Sequence, residues 1–339
     1  MRIFKYISIF FLAAAAIFYI WHEPAPYQIM SGQTMGTYYS VKVRTGRENK
    51  LLHKNIKEEL EAVNAEMSVF DNNSEISRIN REPADKWIEL SPPMQKVLQN
   101  AYTIYSQSNG AFDPTVGRLV DLWGFGTIRP KKAPSEEDIR EVLKTSGFNK
   151  IRFTHDFDKI KKEQEETMIN LSAIAKGYGV DRIAELLEKL GYHDYVVEIG
   201  GEVRAGGRKS DQVDGWNVGI IRPENDYTEN AYVITLKNQA VATSGDYRNF
   251  IYVDDKKYSH TISPKSGYPV ENNLISATVF HSSCMIADGM TTAMMAMGEK
   301  AALDYANRYN VAAVLFVRGE DNTVKPLLSE RAKRLVGRK

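Results

Sequence analysis

The spacing of hydrophobic positions changes several times along the chain, and each change predicts an element. Residues 6–21 are apolar throughout except for Ser8, with Arg2 and Lys5 before them and Glu23, Pro24 and Pro26 after them. Residues 34–45 alternate apolar and polar, the period of a strand. Leu52, Ile56, Leu60 and Val63 recur at helical spacing within 50–67. Ser91-Pro92-Pro93 reads as a helix start ahead of the apolar stripe Val97, Leu98, Ala101 and Ile104. The Pro-, Lys- and Glu-rich stretch 129–138 predicts a surface loop leading into a helix over 135–145. Residues 150–170 read as a hairpin whose charged run, 158–166, forms a solvated tip. A helix over 176–190 ends at Gly191, and short strands follow at 195–199, 202–207, 216–221, 231–236, 250–253 and 274–280. Helices at 284–297 and 299–309, a strand at 311–317 and a frayed basic tail at 331–339 complete the pattern. Helices and hairpins are mixed, so the expected class is α+β.

The first segment bears on location. A basic start, an apolar stretch and a helix-breaking close make the layout of a bacterial export signal. The small residues Ala13 to Ala16 lie inside the apolar run, and no small-x-small cleavage site or lipid-accepting cysteine follows it. The expectation is an uncleaved anchor over 1–27, with the basic end in the cytoplasm. The body, 28–330, then lies on the periplasmic side of the inner membrane, or in the periplasm if the segment is cut.

Composition excludes several classes. Among 339 residues, 43% are hydrophobic and 26% charged, which rules out wholesale disorder. Forty-four basic against 43 acidic residues lack the basic excess of a dedicated nucleic-acid binder. The single cysteine, Cys284, permits neither an intrachain disulfide nor a Cys-His metal cluster.

Glycines and small polar residues concentrate at 110–126, 170–179, 198–207 and 243–267. None forms a G-x-G-x-x-G or G-x-x-x-x-G-K-[ST] loop. The 170–179 segment, running into a helix and carrying Lys176, suits a phosphate but also an ordinary turn. Asp288 and Thr292, four apart on one helix face, suit a hard cation such as Mg²⁺; alternatively they are a helix-start acid and a backbone-bonded threonine. Oxygen ligands admit Mn²⁺ as well. Met290, Met294, Met295 and Met297 read as flexible core filling. His260 could exchange a proton near neutral pH or serve structure alone. The other histidines sit in segments with no further chemical signal.

Seven segments in order resemble the FAD:protein FMN transferases, the ApbE family: MGTYYSV, GAFDPTVG with LWGFG, NLSAIAKGYGVD, IGGEVRAGG, ATSGDYRNF, YSHTISPKSGYPV and ADGMTTAMMAMG, spanning 35–298. The resemblance implies an ApbE-like, T-fold-related α+β fold of mixed helices and antiparallel sheets around a flavin-nucleotide cleft. It implies a Mg²⁺-dependent enzyme that splits FAD, attaches FMN to a threonine of a partner protein and releases AMP. Partners would be subunits of sodium-pumping NADH:quinone reductase, related electron-transport complexes or other exported flavoproteins. By the same resemblance, Met35, Phe70, Ala111, Phe112, Asp113, Asn170, Lys176 and Ile262 contact FAD. Asp288, Thr292 and the Ala173 carbonyl hold the metal, and His260 is the base. Asn170 and Ser263 stand where the family more often has Asp, which removes charge from both places. Two rival readings are an FAD pyrophosphatase giving FMN and AMP, and a flavin carrier without catalysis.

Overall fold

The computed structural model describes residues 27–46, 48–127, 133–223, 229–245, 250–253 and 256–337. Residues 1–26 of the expected anchor, and residues 246–249 of the ATSGDYRNF motif, lie outside the described residues. Among the described residues no helix is long and apolar enough to cross a membrane.

The alternation at 34–45 belongs to a hairpin. β1 (Tyr27–Thr34) pairs with β2 (Thr37–Arg44), Thr34 opposite Thr37, around the two-residue turn Met35-Gly36. Both turn residues have positive φ, 49° and 71°, which suits a turn matching the strand twist. Glycine reaches that region at no cost, but methionine is strained there. The chain therefore holds Met35 at the hairpin tip against its own preference.

Helix α1 (Lys50–Met67) has the predicted bounds, is capped by the Asn49 side chain and buries Leu52, Ile56, Leu60 and Val63. α2 (Glu75–Arg81) is too short for the periodicity to mark. β3 (Ile88–Glu89) precedes α3 (Pro92–Gln107), which Ser91 caps by accepting from the Met94 N–H. α4 (Gly117–Leu122) and α5 (Glu136–Thr145) build a satellite core with Leu119, Trp123, Ile139, Val142 and Ile262.

β4 (Ile151–Phe153) and β5 (Lys159–Lys162) complete a small sheet in the order β3-β5-β4. The charged run 158–166 is not the hairpin's tip; it supplies β5. Lys162 is fully buried there, donating Nζ to the Asn80 and Glu165 carbonyls at 2.7 and 2.8 Å. A charge met by fixed carbonyl oxygens can enter a core.

Helix α6 (Ser172–Lys189) starts four residues before the predicted position. Beyond it come β6 (Tyr195–Ile199), β7 (Glu202–Gly206), β8 (Trp216–Ile221), β9 (Asn230–Leu236), β10 (Gln239–Gly245), β11 (Phe250–Val253), β12 (Lys256–Ser259) and β13 (Leu274–His281). The chain ends with α7 (Cys284–Met297), α8 (Glu299–Arg308), β14 (Ala312–Arg318), β15 (Val324–Leu328) and α9 (Glu330–Val336). The central sheet runs β1-β2-β6-β7-β10-β13-β14-β15, antiparallel at every junction. This is the α+β class.

α6 and α7 lie side by side on one face of that sheet. Val180, Ile183 and Ala184 pack on Val41, Val197 and Ile199. Ala287, Met290 and Met294 pack on Ala242, Ala277, Val279 and Leu315. The methionines are indeed core filling. The opposite face, including Val203, Phe280 and Phe316, lies under the β8–β9 ribbon and Ala332 of α9. The expected frayed tail is thus corrected: Ser329 caps α9 and Ala332 is fully buried, so residues 330–336 are anchored as a helix.

Candidate active site

The first turns of α6 meet the first turns of α7 at a glycine. A Cβ on Gly177 would lie 2.4 Å from the Cys284 carbonyl oxygen and 2.8 Å from Asp288 Cβ. With glycine there, the Gly177 N–H donates to Asp288 Oδ2 at 2.9 Å. A regular helix aims that same N–H at the carbonyl of residue 173. The Asp288 carboxylate is thereby fixed against the start of α6, the turn that carries Ala173.

A second stitch lies one turn further along α6. The buried Asp181 carboxylate accepts from Ser283 Oγ at 2.7 Å and from the Cys284 and Met285 amides at 3.0 Å each. It caps α7 from outside that helix. Arg204 on β7 donates to the same carboxylate at 2.9 Å. Asp181 carried no signal in the sequence because the α7 amides and hydroxyl that it caps lie more than a hundred residues away.

Above this junction opens a cavity of ≈ 1190 Å³, the scale of a cofactor cleft. All of the candidates drawn from the sequence line it: Met35, Phe70, Ala111, Phe112, Asp113, Asn170, Ala173, Lys176, His260, Ile262, Asp288 and Thr292. They arrive on separate pieces of chain. Met35 comes from the strained hairpin tip, and Phe70, 68% exposed, stands beyond the end of α1. Phe112 and Ile262 are nearly buried.

Two side chains are less available than the sequence suggests. The Asp113 carboxylate is already occupied, accepting from Thr115 N and Oγ1 at 2.8 and 2.6 Å in its own loop and from Phe148 N at 3.0 Å beyond α5. Lys176 does not stand free at the start of α6. Its Nζ pairs at 2.6 Å with Glu202, a side chain 2% exposed at the start of β7. Asn170 Oδ1 accepts from the Ser172 N–H at 2.9 Å, shaping the turn into α6.

The α7 threonines divide the work. Thr291 is fully buried, donates to the Asp288 carbonyl at 2.8 Å and meets Ser244 Oγ at 2.8 Å. The backbone-bonding role that a threonine here could take falls to Thr291, which leaves Thr292 lining the cavity.

His260 lines the cavity beside Phe125, its ring edge-on with centroids 6.4 Å apart. That wall rests on the satellite core. Trp123 Nε1 donates to the Gly267 carbonyl at 2.8 Å, and Gly267, φ 75°, approaches α5 so closely that a Cβ would lie 2.6 Å from Ile139. Ser263 closes the turn by accepting from the Gly267 N–H at 2.8 Å.

Burial pushes the Asp288 carboxyl above its ordinary range, against the Lys176 charge and the Gly177 amide. Burial also lifts Glu202, with Asp288 adding to the rise and Lys176 opposing it, to about 7. For Lys176, burial disfavours the charge, but Asp288 and Glu202 outweigh it and the ammonium is held. A desolvated carboxylate of this kind favours a cation. Asp288, Thr292 and the Ala173 carbonyl offer only oxygen, which fits a hard cation. No group of three or more His, Cys, Asp or Glu that could hold a metal occurs among the described residues. One carboxylate with neutral oxygens suits an ion that completes its shell with water or substrate phosphate.

Known proteins resemble this chain over nearly its whole length. The ApbE family profile matches residues 35–316. A relative from Vibrio cholerae, FAD:protein FMN transferase, is 36% identical over 91% of this chain and 95% of its own. The protein of that name from Haemophilus influenzae is 39% identical over 87% of this chain and 88% of its own. The structure of the flavin transferase ApbE from Vibrio cholerae superposes with a TM-score of 0.85 at 35% identity, covering 92% of this chain and all of that one. The apo flavinyl transferase ApbE of Pseudomonas stutzeri gives 0.84 at 31% identity, covering 94% and 99%. Profile, sequence and fold coincide over the segments that build the cavity, and the chain belongs to the ApbE family.

Proposed function

We propose that this protein splits the pyrophosphate of FAD and transfers the FMN half to a threonine hydroxyl of a partner protein, releasing AMP. Flavin transfer to a protein is the activity named for its relatives. The observation that carries the reading for this chain is the Gly177 amide, which holds the Asp288 carboxylate beside the helix start that carries Ala173, both residues lining the cavity. Those two and Thr292 are the ligands we assign to Mg²⁺. Bound there, the ion supplies charge neutralisation for the pyrophosphate oxygens.

The chain's own residues position and move a proton. The amides at the start of α6 face the phosphates, and a helix N-terminus favours anions. Met35, Phe70, Ala111, Phe112 and Ile262 offer apolar surface to the rings, while Asp113 and Asn170 shape the loops between them. His260 accepts the proton of the threonine hydroxyl. The freed oxygen bonds to the FMN phosphorus, the bond from that phosphorus to the bridging oxygen breaks, and AMP departs with the bridging oxygen and the electron pair. Positioning and charge neutralisation account for most of such a phosphoryl transfer.

Location and partner belong to the same proposal. The apolar segment over 1–27 anchors the body to the periplasmic side of the inner membrane, or directs it to the periplasm if removed. The acceptors are subunits of sodium-pumping NADH:quinone reductase or related electron-transport complexes.

The test mixes protein, FAD and Mg²⁺ with such a subunit and follows flavin fluorescence on the denatured subunit in a gel. Label on the wild-type acceptor, absent when its threonine is changed to alanine, is expected. Rapid FMN release with no label identifies a pyrophosphatase, and FAD binding with neither product identifies a carrier.

A further inference from the structure

Behind the cavity wall, Glu202 stands in an unusual position. Its side chain is 2% exposed, Oε1 accepts from Lys176 Nζ at 2.6 Å, and Oε2 is buried without a hydrogen-bond partner. An orphaned carboxylate oxygen of this kind is costly. The lysine stem passes the β6–β7 turn to reach it: a Cβ on Gly200, φ 60°, would sit 3.4 Å from Lys176 Cδ and 2.9 Å from Thr37 Cγ2. Lys176 also directly precedes Gly177, whose amide holds Asp288. Asp288 and Glu202 both favour the charged ammonium, and the close ion pair is with Glu202. The flexible four-carbon stem of lysine gives it a choice between the two acids.

We infer that Glu202 is a positioning residue, which tethers the Lys176 ammonium and keeps it from neutralising the Asp288 carboxylate that receives the divalent cation. This inference rests on the cation reading of the proposed function. Without the Glu202 charge, Asp288 is the remaining acid acting on the ammonium, and a Lys176–Asp288 pair competes directly with the metal.

The test is Mn²⁺ binding, read by paramagnetic resonance of the free ion, to the full chain without FAD. It compares wild type, Glu202→Gln, Lys176→Met and the double variant, with thermal melting to establish folding. Glu202→Gln is expected to weaken Mn²⁺ binding about tenfold. Lys176→Met should bind at least as tightly as wild type, and Glu202→Gln should cause no further loss in that background. Should Glu202→Gln not fold, Glu202→Asp keeps the charge but withdraws it by one methylene, and should weaken Mn²⁺ binding only when Lys176 is present. Unchanged Mn²⁺ binding in the Glu202 variants overturns the inference, as does a loss of equal size with and without Lys176. A wild-type chain that binds FAD but no Mn²⁺ removes the cation reading itself, and this inference with it.

Discussion

The Gly177 amide donates to Asp288 Oδ2 at 2.9 Å, joining α6 to α7 at the floor of the cavity. A helix amide holds a buried carboxylate of the neighbouring helix, which fixes Asp288 beside the turn that carries Ala173. Glycine is required for the approach, because any Cβ would collide with the Cys284 carbonyl and with Asp288.

Gly177→Ala should therefore damage both stability and chemistry. Overpacking this contact should cost about 1–3 kcal/mol, read by urea denaturation, and transfer should fall more than FAD affinity. A variant as stable and active as wild type would mean that the two helices separate freely, contrary to the close packing described above.

Removing the carboxylate at Asp181 should act on the fold. It leaves Arg204 without its buried partner and uncaps the first amides of α7. Asp181→Ala should lose about 3–5 kcal/mol in the same denaturation measurement. A loss below about 1 kcal/mol, the usual range of an exposed pair, would show that this capping matters little.

His260→Ala should reduce transfer about 10²–10⁴-fold, the usual contribution of a positioned base, while FAD affinity stays near the wild-type value. Titrating flavin fluorescence gives the affinity, and the rate of acceptor labelling gives the chemistry. Equal losses in both would make the histidine structural.

Burial raises Glu202 from 4.5 to about 7, with Asp288 adding to the rise and Lys176 opposing it. A carboxyl whose folded pKa lies above its unfolded one holds more protons when folded. Its contribution to stability is full below the unfolded value and is lost as pH rises through the folded one. The unfolding free energy of the metal-free protein should therefore decline between about pH 4.5 and 7 through this group. Asp288 works in the same direction. Glu202→Gln should lessen the slope; an undiminished slope would assign it to other groups.

Much of the fold was legible because apolar periodicity reports burial directly. α1 and α7 bury the stripes their sequences display, and β6 and β8 lie where alternation and β-branched residues put them. The Met35-Gly36 turn was not legible, because strain at methionine comes from the surrounding structure and leaves no turn signature. Nor was the run around Lys162, whose burial depends in part on the Asn80 carbonyl from another part of the chain. In the site, the residue types and their spacing marked Asp288 and Thr292, and the family resemblance marked the FAD-contacting positions. What remained hidden were partners distant in sequence. Glu202 lay inside a noted glycine-rich segment, yet its pairing with Lys176 across 26 positions has no local signal. Asp181 looked like an ordinary helix residue for the same reason.

The proposed chemistry requires a cation seated between α6 and α7. Anomalous diffraction from crystals soaked with Mn²⁺ and FAD would locate it. A single strong peak about 2.1–2.3 Å from an Asp288 carboxylate oxygen and the Ala173 carbonyl, typical of hard-cation ligation, is the predicted result. A peak elsewhere, or none while FAD occupies the cavity, would contradict it.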